Sequence, residues 1–393
     1  MISKLKTLIK LMIYYFINLL IFPTEKIKQK SILLIRLDAI GDYVLFRNYI
    51  EVLKKSEKYK DYEITLLGNN TWKDLAVELD SRFIYKFIWL DRKKFMRNFI
   101  YRYIKLKEIT SEGYEVVLSP VYSLEYFYID QIVNFINAKE KVGSIGDFSS
   151  ITEEQINVRN KFYTKIIPVK QETLFEFYRN RELFEAFLEK KLDIVRPNIS
   201  LKPKKLKMKL PYNYAVLFIG ANANFRKWEV EYFAKVGKYI KDNYGYDIVI
   251  CGARNDRGEA VKFAKYFKDD YVDLVGKTSL VDLLYVIDNG NLMISNETSA
   301  PHFAVALDVP NIFVLSNGNH YGRFTPYPKK VSKNYHVIFH PKIEKEQNDY
   351  KKLSHSYGFG SELEINDIRV EQVINKIDKV LKDFDSKIVT KRY

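Results

Sequence analysis

The sequence predicts an α/β protein built from two doubly wound parallel sheets. Continuous apolar runs, which are typical of strands buried on both faces, alternate with stretches in which apolar residues recur at helical spacing. This alternation stops at the proline- and lysine-rich stretch 196–211, which has the composition of an interdomain linker, and then starts again. A chain of 393 residues is long enough to give each half its own hydrophobic core.

The first half contains apolar runs of strand length separated by amphipathic stretches. Ile32–Ile35 is the clearest run, and the apolar residues between 43 and 55 lie close to helical spacing. The predicted strands of this half are 32–35, 63–68, 87–90 and 115–118, and the predicted helices are 43–55, 72–79 and 94–110. Strands that alternate with helices predict a parallel sheet with helices on both faces.

The second half repeats this pattern. Gly220 and Gly252 end two apolar runs, and Pro301 suits the first turn of a helix. The predicted strands are 214–220, 247–252, 291–295 and 311–315, and the predicted helices are 229–243, 257–267, 279–288, 301–307 and 367–383. The segment 340–366 is polar and aromatic with little periodicity, and the sequence predicts no function for it.

Charge and cysteine content restrict the classes of partner. The net charge is +15, and the lysines are spread along the chain without an arginine-rich tract or a nucleic-acid-binding module. This distribution favours an anionic membrane surface or a phosphorylated substrate over nucleic acid. The single cysteine, Cys251, cannot form an intrachain disulfide, which favours the cytosol.

The N-terminus is apolar and cationic. Residues 11–22 are mostly apolar, and Lys4, Lys6 and Lys10 precede them. The run is shorter than the roughly 20 residues that a spanning helix needs, and no small-residue cleavage site follows it. We therefore expect a helix at 1–26 that lies in the membrane surface, where anionic lipid attracts its lysines. A helix packed on the protein or on a partner, and a true membrane span, are the alternatives.

The first informative corner between a strand and a helix is Asp38-Ala39-Ile40-Gly41-Asp42. Gly41 permits a tight turn and a close approach of the backbone. Asp42 falls at the helix start, where a carboxylate is favoured by capping and by the helix dipole whatever its function. The functional interpretation is a general base that faces the ligand, and Asp38 is an alternative base in the same turn.

The second corner, 220–228, contains small residues and two adjacent cations, Arg226 and Lys227. Backbone amides at the start of a helix, together with cationic side chains, are typical of a phosphate site. Asn222 lies in the same loop and is a further candidate ligand. The alternative is a solvated basic loop, and the lack of Gly-Lys-Ser/Thr argues against a Walker-type loop.

The third corner is the segment 295–307. Thr298 or Ser299 can cap the next helix, and their hydroxyls and the free amides of the turn can donate to a diphosphate. Glu297 can accept hydrogen bonds from a pair of sugar hydroxyls, such as a ribose diol. The alternative is a plain capping sequence, in which His302 is a packing or hydrogen-bonding histidine.

These segments together resemble glycosyltransferase family 9, the lipopolysaccharide heptosyltransferases. Leu34–Leu45 is similar to the opening of the family, and 220–228 is similar to its phosphate-binding loop. Residues 274–283 resemble its G-x-T-S-L-x-E-L segment, and 296–307 resemble its N-D-S-G-x-x-H-L-A-A-A-L signature. The resemblance covers residues 31–330 in the same order.

The resemblance implies a GT-B fold, with two Rossmann-like domains facing a central cleft. It implies inverting, metal-independent transfer of a heptose or related sugar from a nucleotide-sugar donor to lipopolysaccharide or another cell-surface glycan. No cofactor is expected beyond the nucleotide-sugar co-substrate, for which ADP-heptose is a candidate. The expected partners are this donor, a lipid-linked glycan acceptor and the inner face of the cytoplasmic membrane, where the protein would be a peripheral cytoplasmic protein without a nucleic-acid partner.

The resemblance also assigns roles to individual residues. Asp42 matches the proposed catalytic base of the family, and Lys227 matches a lysine that binds the donor phosphate. Glu297 matches the acidic residue that contacts the donor sugar or ribose, although the family usually has Asp there. Thr298 and Ser299 match the diphosphate-binding positions, although Ser299 replaces the usual Gly. The complete predicted set is Asp42 as base, Asp38 and Gly41 in the acceptor-side turn, and Asn222, Arg226, Lys227, Glu297, Thr298, Ser299 and His302 at the donor.

We accordingly expect four segments. They are a membrane-associating helix at 1–26, an acceptor domain at 27–200, a nucleotide-sugar donor domain at 201–366, and a closing helix and tail at 367–393. The only Asp-x-Asp pair, 383–385, is expected in the polar tail beyond the last helix, as solvated surface and not as a metal site.

Two other functions are compatible with the sequence. One is a nucleotide-sugar epimerase of the GT-B type, which would share the scaffold but leave the N-terminal helix unexplained. The other is a non-catalytic module that binds nucleotide or glycan at the membrane. A Rossmann dehydrogenase is disfavoured, because no G-x-G-x-x-G sequence opens either half.

Overall fold

The computed structural model describes residues 14, 16–17, 19–147 and 151–390. The chain divides into two compact units. The first consists of Met1–Glu172 and Phe177–Ile194, and the second of Thr173–Glu176 and Val195–Tyr393. Each unit contains a six-stranded sheet in which the paired strands are parallel. The predicted α/β class with two Rossmann-like sheets is confirmed.

The sheet of the first unit is formed by the strands β1 (Ile27–Arg36), β2 (Glu63–Asn69), β3 (Lys86–Leu90), β4 (Gly113–Ser119), β5 (Ala138–Ser144) and β6 (Lys165–Ile167). The α-helices in this part of the chain are α1 (Ile40–Phe46), α2 (Asn48–Lys55), α3 (Lys73–Asp80), α4 (Arg92–Arg97), α5 (Phe99–Thr110), α6 (Gln131–Phe135), α7 (Glu153–Asn160) and α8 (Glu176–Leu188).

Two helices predicted as continuous are each divided in two. The predicted helix 94–110 is broken at Asn98, whose backbone is extended and whose Oδ1 accepts a hydrogen bond from Tyr101 N at 2.9 Å, so that it caps α5. The predicted helix 43–55 is interrupted at Arg47, where Ile50 N donates to Arg47 O three residues back. Apolar spacing alone does not report such breaks, because buried apolar residues occur on both sides of each break.

The sheet of the second unit is formed by β7 (Tyr214–Phe218), β8 (Asp247–Cys251), β9 (Tyr271–Asp273), β10 (Leu292–Asn296), β11 (Ile312–Ser316) and β12 (Tyr335–Phe339). Its helices are α9 (Val230–Tyr244), α10 (Arg257–Tyr266), α11 (Leu280–Asp288), α12 (Ser299–Ala306), α13 (Pro341–Glu346), α14 (Tyr350–Tyr357) and α15 (Val370–Thr390). Since α15 continues to Thr390, the pair 383–385 lies within this helix, and the expectation that it follows the last helix was wrong.

The strand order locates the switch points of the two sheets. The first sheet has the order β3-β2-β1-β4-β5-β6, so the chain builds outward from β1 and then restarts at β4 on its other side. The second sheet has the order β12-β11-β10-β7-β8-β9, with the same reversal between β7 and β10. Ligands of doubly wound sheets bind at the carboxyl ends of strands at this reversal. The three predicted corners follow β1, β7 and β10 and therefore lie at the switch points.

The core of the second unit holds the loop after β7 in place. Trp228 is buried in this core, and its Nε1 donates a hydrogen bond of 2.7 Å to Ile368 O. Val373, Ile377 and Leu381 of α15 belong to the same apolar cluster. The closing helix therefore packs against the sheet next to the predicted phosphate loop.

Most of the predicted helix 1–26 lies outside the described residues. Of those described, 14, 16, 17 and 19 are helical, and β1 begins at Ile27. Within the described part of the chain, no helix is long and apolar enough to cross a membrane.

Candidate functional site

The first corner is formed differently from the expectation. Gly41 and Asp42 are the second and third residues of α1, so Gly41 has a helical backbone and does not make the turn itself. The corner is made by residues 37–39, with Ala39 in an extended conformation before the helix. Asn69 and Trp72 hold this corner, because their side chains donate to Asp38 O at 3.1 and 3.0 Å.

Asp38 is engaged with a buried arginine. The Arg36 side chain is almost fully buried, and its Nε lies 2.7 Å from Asp38 Oδ2. Arg36 also donates to Pro120 O at 2.5 Å, which joins β1 to the end of β4. A buried guanidinium without its carboxylate would be costly, so Asp38 acts first as a structural counter-ion. This ion pair disfavours Asp38 as a reactive carboxylate.

Asp42 is half-buried and is followed by an anchored tyrosine. The Tyr43 hydroxyl donates to Asp80, and the Tyr43 ring stacks on Trp72 with 4.5 Å between ring centroids. Arg47 pairs with the same Asp80 at 2.7 Å, so the carboxylate is satisfied from two sides. These buried contacts fix the backbone of α1 one residue beyond Asp42, which limits the positions that its side chain can take.

A further carboxylate at this edge was missed from the sequence. Glu125 follows β4 and forms an ion pair with Arg92. It lies close enough to Asp38 for the two carboxylates to repel each other electrostatically. Burial raises the pKa of Glu125, Arg92 opposes this change, and Asp38 adds to it. The signal was available, since Glu125 comes shortly after the predicted strand 115–118 at a strand-to-helix corner.

The second corner is built around a lysine–aspartate pair. Lys227 Nζ lies 3.0 Å from Asp256 Oδ1, and Asp256 is almost fully buried. A Cβ atom on Gly220 would lie 2.1 Å from Asp256 Oδ2, so only glycine leaves room for this carboxylate. Asp256 also accepts a hydrogen bond from Ala253 N at 2.9 Å, which ties the end of β8 to the same cluster. The sequence interpretation missed Asp256.

Arg226 connects the second corner to the third. Its guanidinium donates to Glu297 O across 3.4 Å, and its Nε is buried without a hydrogen-bond partner among the described residues. Asn222, by contrast, is exposed in the loop. Arg226 therefore brings positive charge to the carboxyl end of β10, whereas nothing in the described contacts orients Asn222.

Asn296 binds the two corners together. This fully buried residue ends β10, and its Nδ2 donates to Ile219 O and Gly220 O at 3.2 and 3.3 Å. Its Oδ1 accepts a hydrogen bond from Trp228 N at 3.0 Å. One side chain thus satisfies backbone groups on both sides of the 220–228 loop and places that loop beside α12.

Glu297 is a buried acid with a strongly shifted pKa. It is 6% exposed, and its Oε2 accepts a hydrogen bond of 2.6 Å from Ser316 Oγ. Burial raises the pKa of Glu297 to about 7, although the Ser316 hydrogen bond and the charge of Arg226 partly offset the rise. The side chain can therefore change between donor and acceptor of hydrogen bonds near neutral pH.

The start of α12 contains the remaining predicted residues. Thr298 is the cap, and its side chain accepts from Ala300 N at 3.2 Å, while Ser299 begins the helix and is partly exposed. His302 is buried, and its Nδ1 lies 2.7 Å from the Tyr327 hydroxyl. Burial lowers the pKa of His302 to about 4, so the ring is uncharged at neutral pH and adds no cation to the site.

The end of β11 completes the cluster and was also missed. Asn317 donates to Phe225 O at 3.2 Å and to Leu363 O at 2.8 Å, and it accepts from Ser361 at its own backbone oxygen. The segment 340–366, for which the sequence predicted no function, therefore supports the 220–228 loop from behind. The polar residues directly after the predicted strand 311–315 could have indicated in the sequence that this strand end belongs to the site.

The second unit thus combines cations, helix-start amides and a titratable acid at one switch point. Arg226, Lys227 and the first amides of α12 suit an anion, and Glu297 suits hydroxyl groups beside it. The first unit presents carboxylates at its own switch point, which suits a proton acceptor. Among the residues that the structure describes, no three His, Cys, Asp or Glu side chains are arranged to hold a metal ion.

A family model described as glycosyltransferase family 9 (heptosyltransferase) matches residues 131–354. This range contains the 220–228 loop, Asn296, Glu297 and the start of α12, so it includes the whole cluster at the second switch point. No curated protein matches the chain.

Solved structures share the fold over nearly the whole chain. The glycosyl transferase family 9 protein from Veillonella parvula DSM 2008 is 18% identical, with a TM-score of 0.66 over 92% of this chain and 99% of that chain. E. coli heptosyltransferase WaaC, solved with ADP-2-deoxy-2-fluoro heptose, is 17% identical, with a TM-score of 0.61 over 89% of this chain and 99% of that chain. E. coli ADP-heptose lps heptosyltransferase II is 15% identical, with a TM-score of 0.61 over 90% and 99%. These similarities confirm the expected fold.

Proposed function

The chain belongs to glycosyltransferase family 9 (heptosyltransferase), and from this we propose that it transfers a heptose or related sugar from a nucleotide-sugar donor to a cell-surface glycan such as lipopolysaccharide. The observation that carries this proposal is the family match over 131–354, which includes the cationic cluster at the β7–β10 switch point. The cations and helix-start amides of that cluster suit a diphosphate, and the acidic side chain beside them suits hydroxyl groups.

The donor diphosphate is proposed to bind Lys227, Arg226 and the first amides of α12. Negative charge grows on the diphosphate as the bond to the sugar breaks, and donors fixed in advance stabilise it without reorganisation. Lys227 has Asp256 as a partner at 3.0 Å in the structure, so the incoming phosphate would share this lysine with a carboxylate. The buried Nε of Arg226, which has no partner among the described residues, supports the same placement.

Glu297 is proposed to accept hydrogen bonds from the ribose or sugar hydroxyls of the donor. Its ionised form is an acceptor only, and Ser316 holds one of its oxygens at 2.6 Å. ADP-heptose is the first donor to test, because WaaC was solved with an analogue of it. Glu297 and Ser299 stand where the family usually has Asp and Gly. Other nucleotide sugars must therefore be compared with ADP-heptose as donors.

Asp42 is proposed as the general base. The acceptor hydroxyl oxygen forms a bond to the anomeric carbon, the bond from that carbon to the diphosphate breaks, and Asp42 takes the hydroxyl proton. Attack opposite the leaving group inverts the configuration, and the cations at the β7–β10 ends replace a metal ion in this scheme. The support is the position of Asp42 at the β1–β4 switch point, with Asp38 committed to Arg36.

The acceptor is proposed to be lipid-linked, and the protein is proposed to meet it as a peripheral protein at the inner face of the cytoplasmic membrane. The net charge of +15 and the cationic, apolar N-terminus support this location.

Asp42→Asn tests the reaction directly. We expect transfer from ADP-heptose, or from the best donor of a nucleotide-sugar panel, to fall roughly 10²- to 10⁴-fold, because the general base is lost. The donor dissociation constant, measured by calorimetry, should stay within error. Asp38→Asn is the matched control and should lower the free energy of unfolding, because it leaves Arg36 without its counter-ion. A near-normal rate for Asp42→Asn would contradict the assignment, and no transfer by the wild type from any donor would contradict the proposed function.

Lys227→Ala should weaken the binding of nucleoside diphosphate. A charge-assisted hydrogen bond contributes about 1.5–3 kcal/mol, so the dissociation constant should rise about tenfold to a hundredfold. Lys235→Ala removes an equal charge on α9, where the lysine pairs with Glu231 at the surface, and should leave the dissociation constant unchanged. Equal effects of the two substitutions would show that only the overall charge matters.

The pH dependence of donor binding should report Glu297. Because the pKa of Glu297 is raised to about 7, the side chain gains a proton below this pH and loses acceptor capacity. Affinity for the nucleotide sugar should therefore fall by up to about tenfold per pH unit below 7 and level off above it. His302 and His320 stay uncharged in this window, since burial lowers the pKa of each to about 4.

Glu297→Gln should bind the nucleotide sugar more weakly and remove this pH dependence, as followed by calorimetry between pH 5.5 and 8. A wild-type affinity that does not change with pH, or a slope that persists in Glu297→Gln, would rule out the proposed role of this side chain.

A further inference from the structure

The described part of the N-terminal segment is fixed on the first unit by one of its faces. The Tyr14 hydroxyl donates to Met96 O at 2.6 Å, and the Arg102 guanidinium lies 4.3 Å from the centroid of the Tyr14 ring. Ile17 and Ile21 are buried in the apolar cluster of this unit. The segment is therefore part of the folded unit and is not a free tether.

The other face of this segment is apolar and exposed. Phe16 is 59% exposed, Leu19 54%, Leu20 59% and Phe22 83%. Large apolar side chains at such exposure are unusual when they occur together on a soluble surface. Their exposure to water is unfavourable, so this face suits an apolar partner.

Helix α5 lies next to this segment and exposes apolar side chains of its own. The segment runs beside α5. The Tyr14 ring lies edge-on to the ring of Phe99, the first residue of α5, with 5.8 Å between the centroids, and Thr24 N donates to Thr110 O at the end of the helix. Ile100 is 72% exposed and Ile104 is 55% exposed, and residues four apart lie on one side of a helix. We use the term apolar face for the exposed residues of both elements, which are Phe16, Leu19, Leu20, Phe22, Ile100 and Ile104.

Positive charge accompanies the apolar face. Lys93, Lys94, Arg97 and Lys107, on α4 and α5, are exposed, and within the described chain they form no ion pair. The acidic residues of the same stretch are already engaged: Asp91 caps α4 by accepting from Lys94 N, and Glu108 pairs with Lys105. In the sequence, Lys4, Lys6 and Lys10 come just before the segment.

We propose that the apolar face and its cations form a docking surface for an anionic lipid bilayer. The aromatic and aliphatic side chains would lie at the boundary between headgroups and acyl chains, and the lysines and arginine would lie at the level of the lipid phosphates. The charge complementarity selects a membrane over a neutral protein surface. This inference rests on the proposed function only for the lipid-linked acceptor, because lipid binding itself needs no catalysis.

The experiment compares two double variants of the full chain. Ile100→Glu with Ile104→Glu places two carboxylates on the apolar face. Val195→Glu with Val261→Glu is the matched control, because these valines are 58% and 57% exposed and the charge change is the same. Both proteins and the wild type are sedimented with vesicles of phosphatidylcholine alone and of phosphatidylcholine with phosphatidylglycerol.

We expect the wild type to bind the vesicles that contain phosphatidylglycerol and to bind phosphatidylcholine weakly. The variant of the apolar face should lose about tenfold or more in partition coefficient, because two apolar contacts are replaced by charges. The valine control should lose much less. Replacing Lys93, Lys94 and Arg97 by Gln should lower binding to the anionic vesicles roughly fivefold per charge, with little effect on the neutral ones.

Three results would overturn the proposal: no binding by the wild type, equal losses in both Glu variants, or a wild-type dimer that the Ile100→Glu, Ile104→Glu variant dissociates. The last result would make the apolar face a contact between two copies of the chain. Transfer to a detergent-solubilised acceptor, measured in parallel, separates this proposal from the proposed function. Vesicle binding without transfer would contradict only the function, and transfer without vesicle binding would contradict only the docking surface.

Discussion

The hydrogen bonds of the buried Asn296 side chain determine the geometry of the candidate donor site. Its amide joins backbone oxygens at the end of β7 to the backbone nitrogen of Trp228, so both ends of the 220–228 loop are held by one residue of β10. A buried amide with three such contacts tolerates little movement, because any displacement leaves polar backbone groups unsatisfied. The positions of Arg226 and Lys227 follow from this constraint.

The cationic side chains of this loop already have partners within the protein, and a bound ligand can share these cations. Lys227 is paired with Asp256, and Arg226 reaches the backbone oxygen of Glu297. Glu297 itself is buried with its pKa raised to about 7, so the cluster does not carry a full extra negative charge at neutral pH. An anion that binds here meets two cations and the start of a helix, which is the environment that a departing diphosphate requires.

Much of the fold followed from local pattern, because continuous apolar runs identify buried strands and each strand end marks a corner where ligands bind. This reasoning placed Asp42, Lys227 and Glu297 at strand ends before the strand order was known. It did not find Asp256 or Asn317, whose roles depend on contacts with residues far along the chain. The turn of the first corner was assigned to Gly41, whereas residues 37–39 make it. The helix break at Asn98 was missed, because the apolar residues on both sides of this cap continue at helical spacing. The strands β5, β6, β9 and β12 were not predicted, because none of them is a long, continuous apolar run.

The location of a bound nucleoside diphosphate tests the central claim most directly. A crystal of the protein soaked with ADP should show the diphosphate within hydrogen-bonding distance, about 3.2 Å or less, of Lys227 Nζ and the first amides of α12. The ribose should lie beside the Glu297 carboxylate. Density for ADP away from the turns 222–228 and 297–302, with those turns empty, would contradict the account of how this protein stabilises its leaving group.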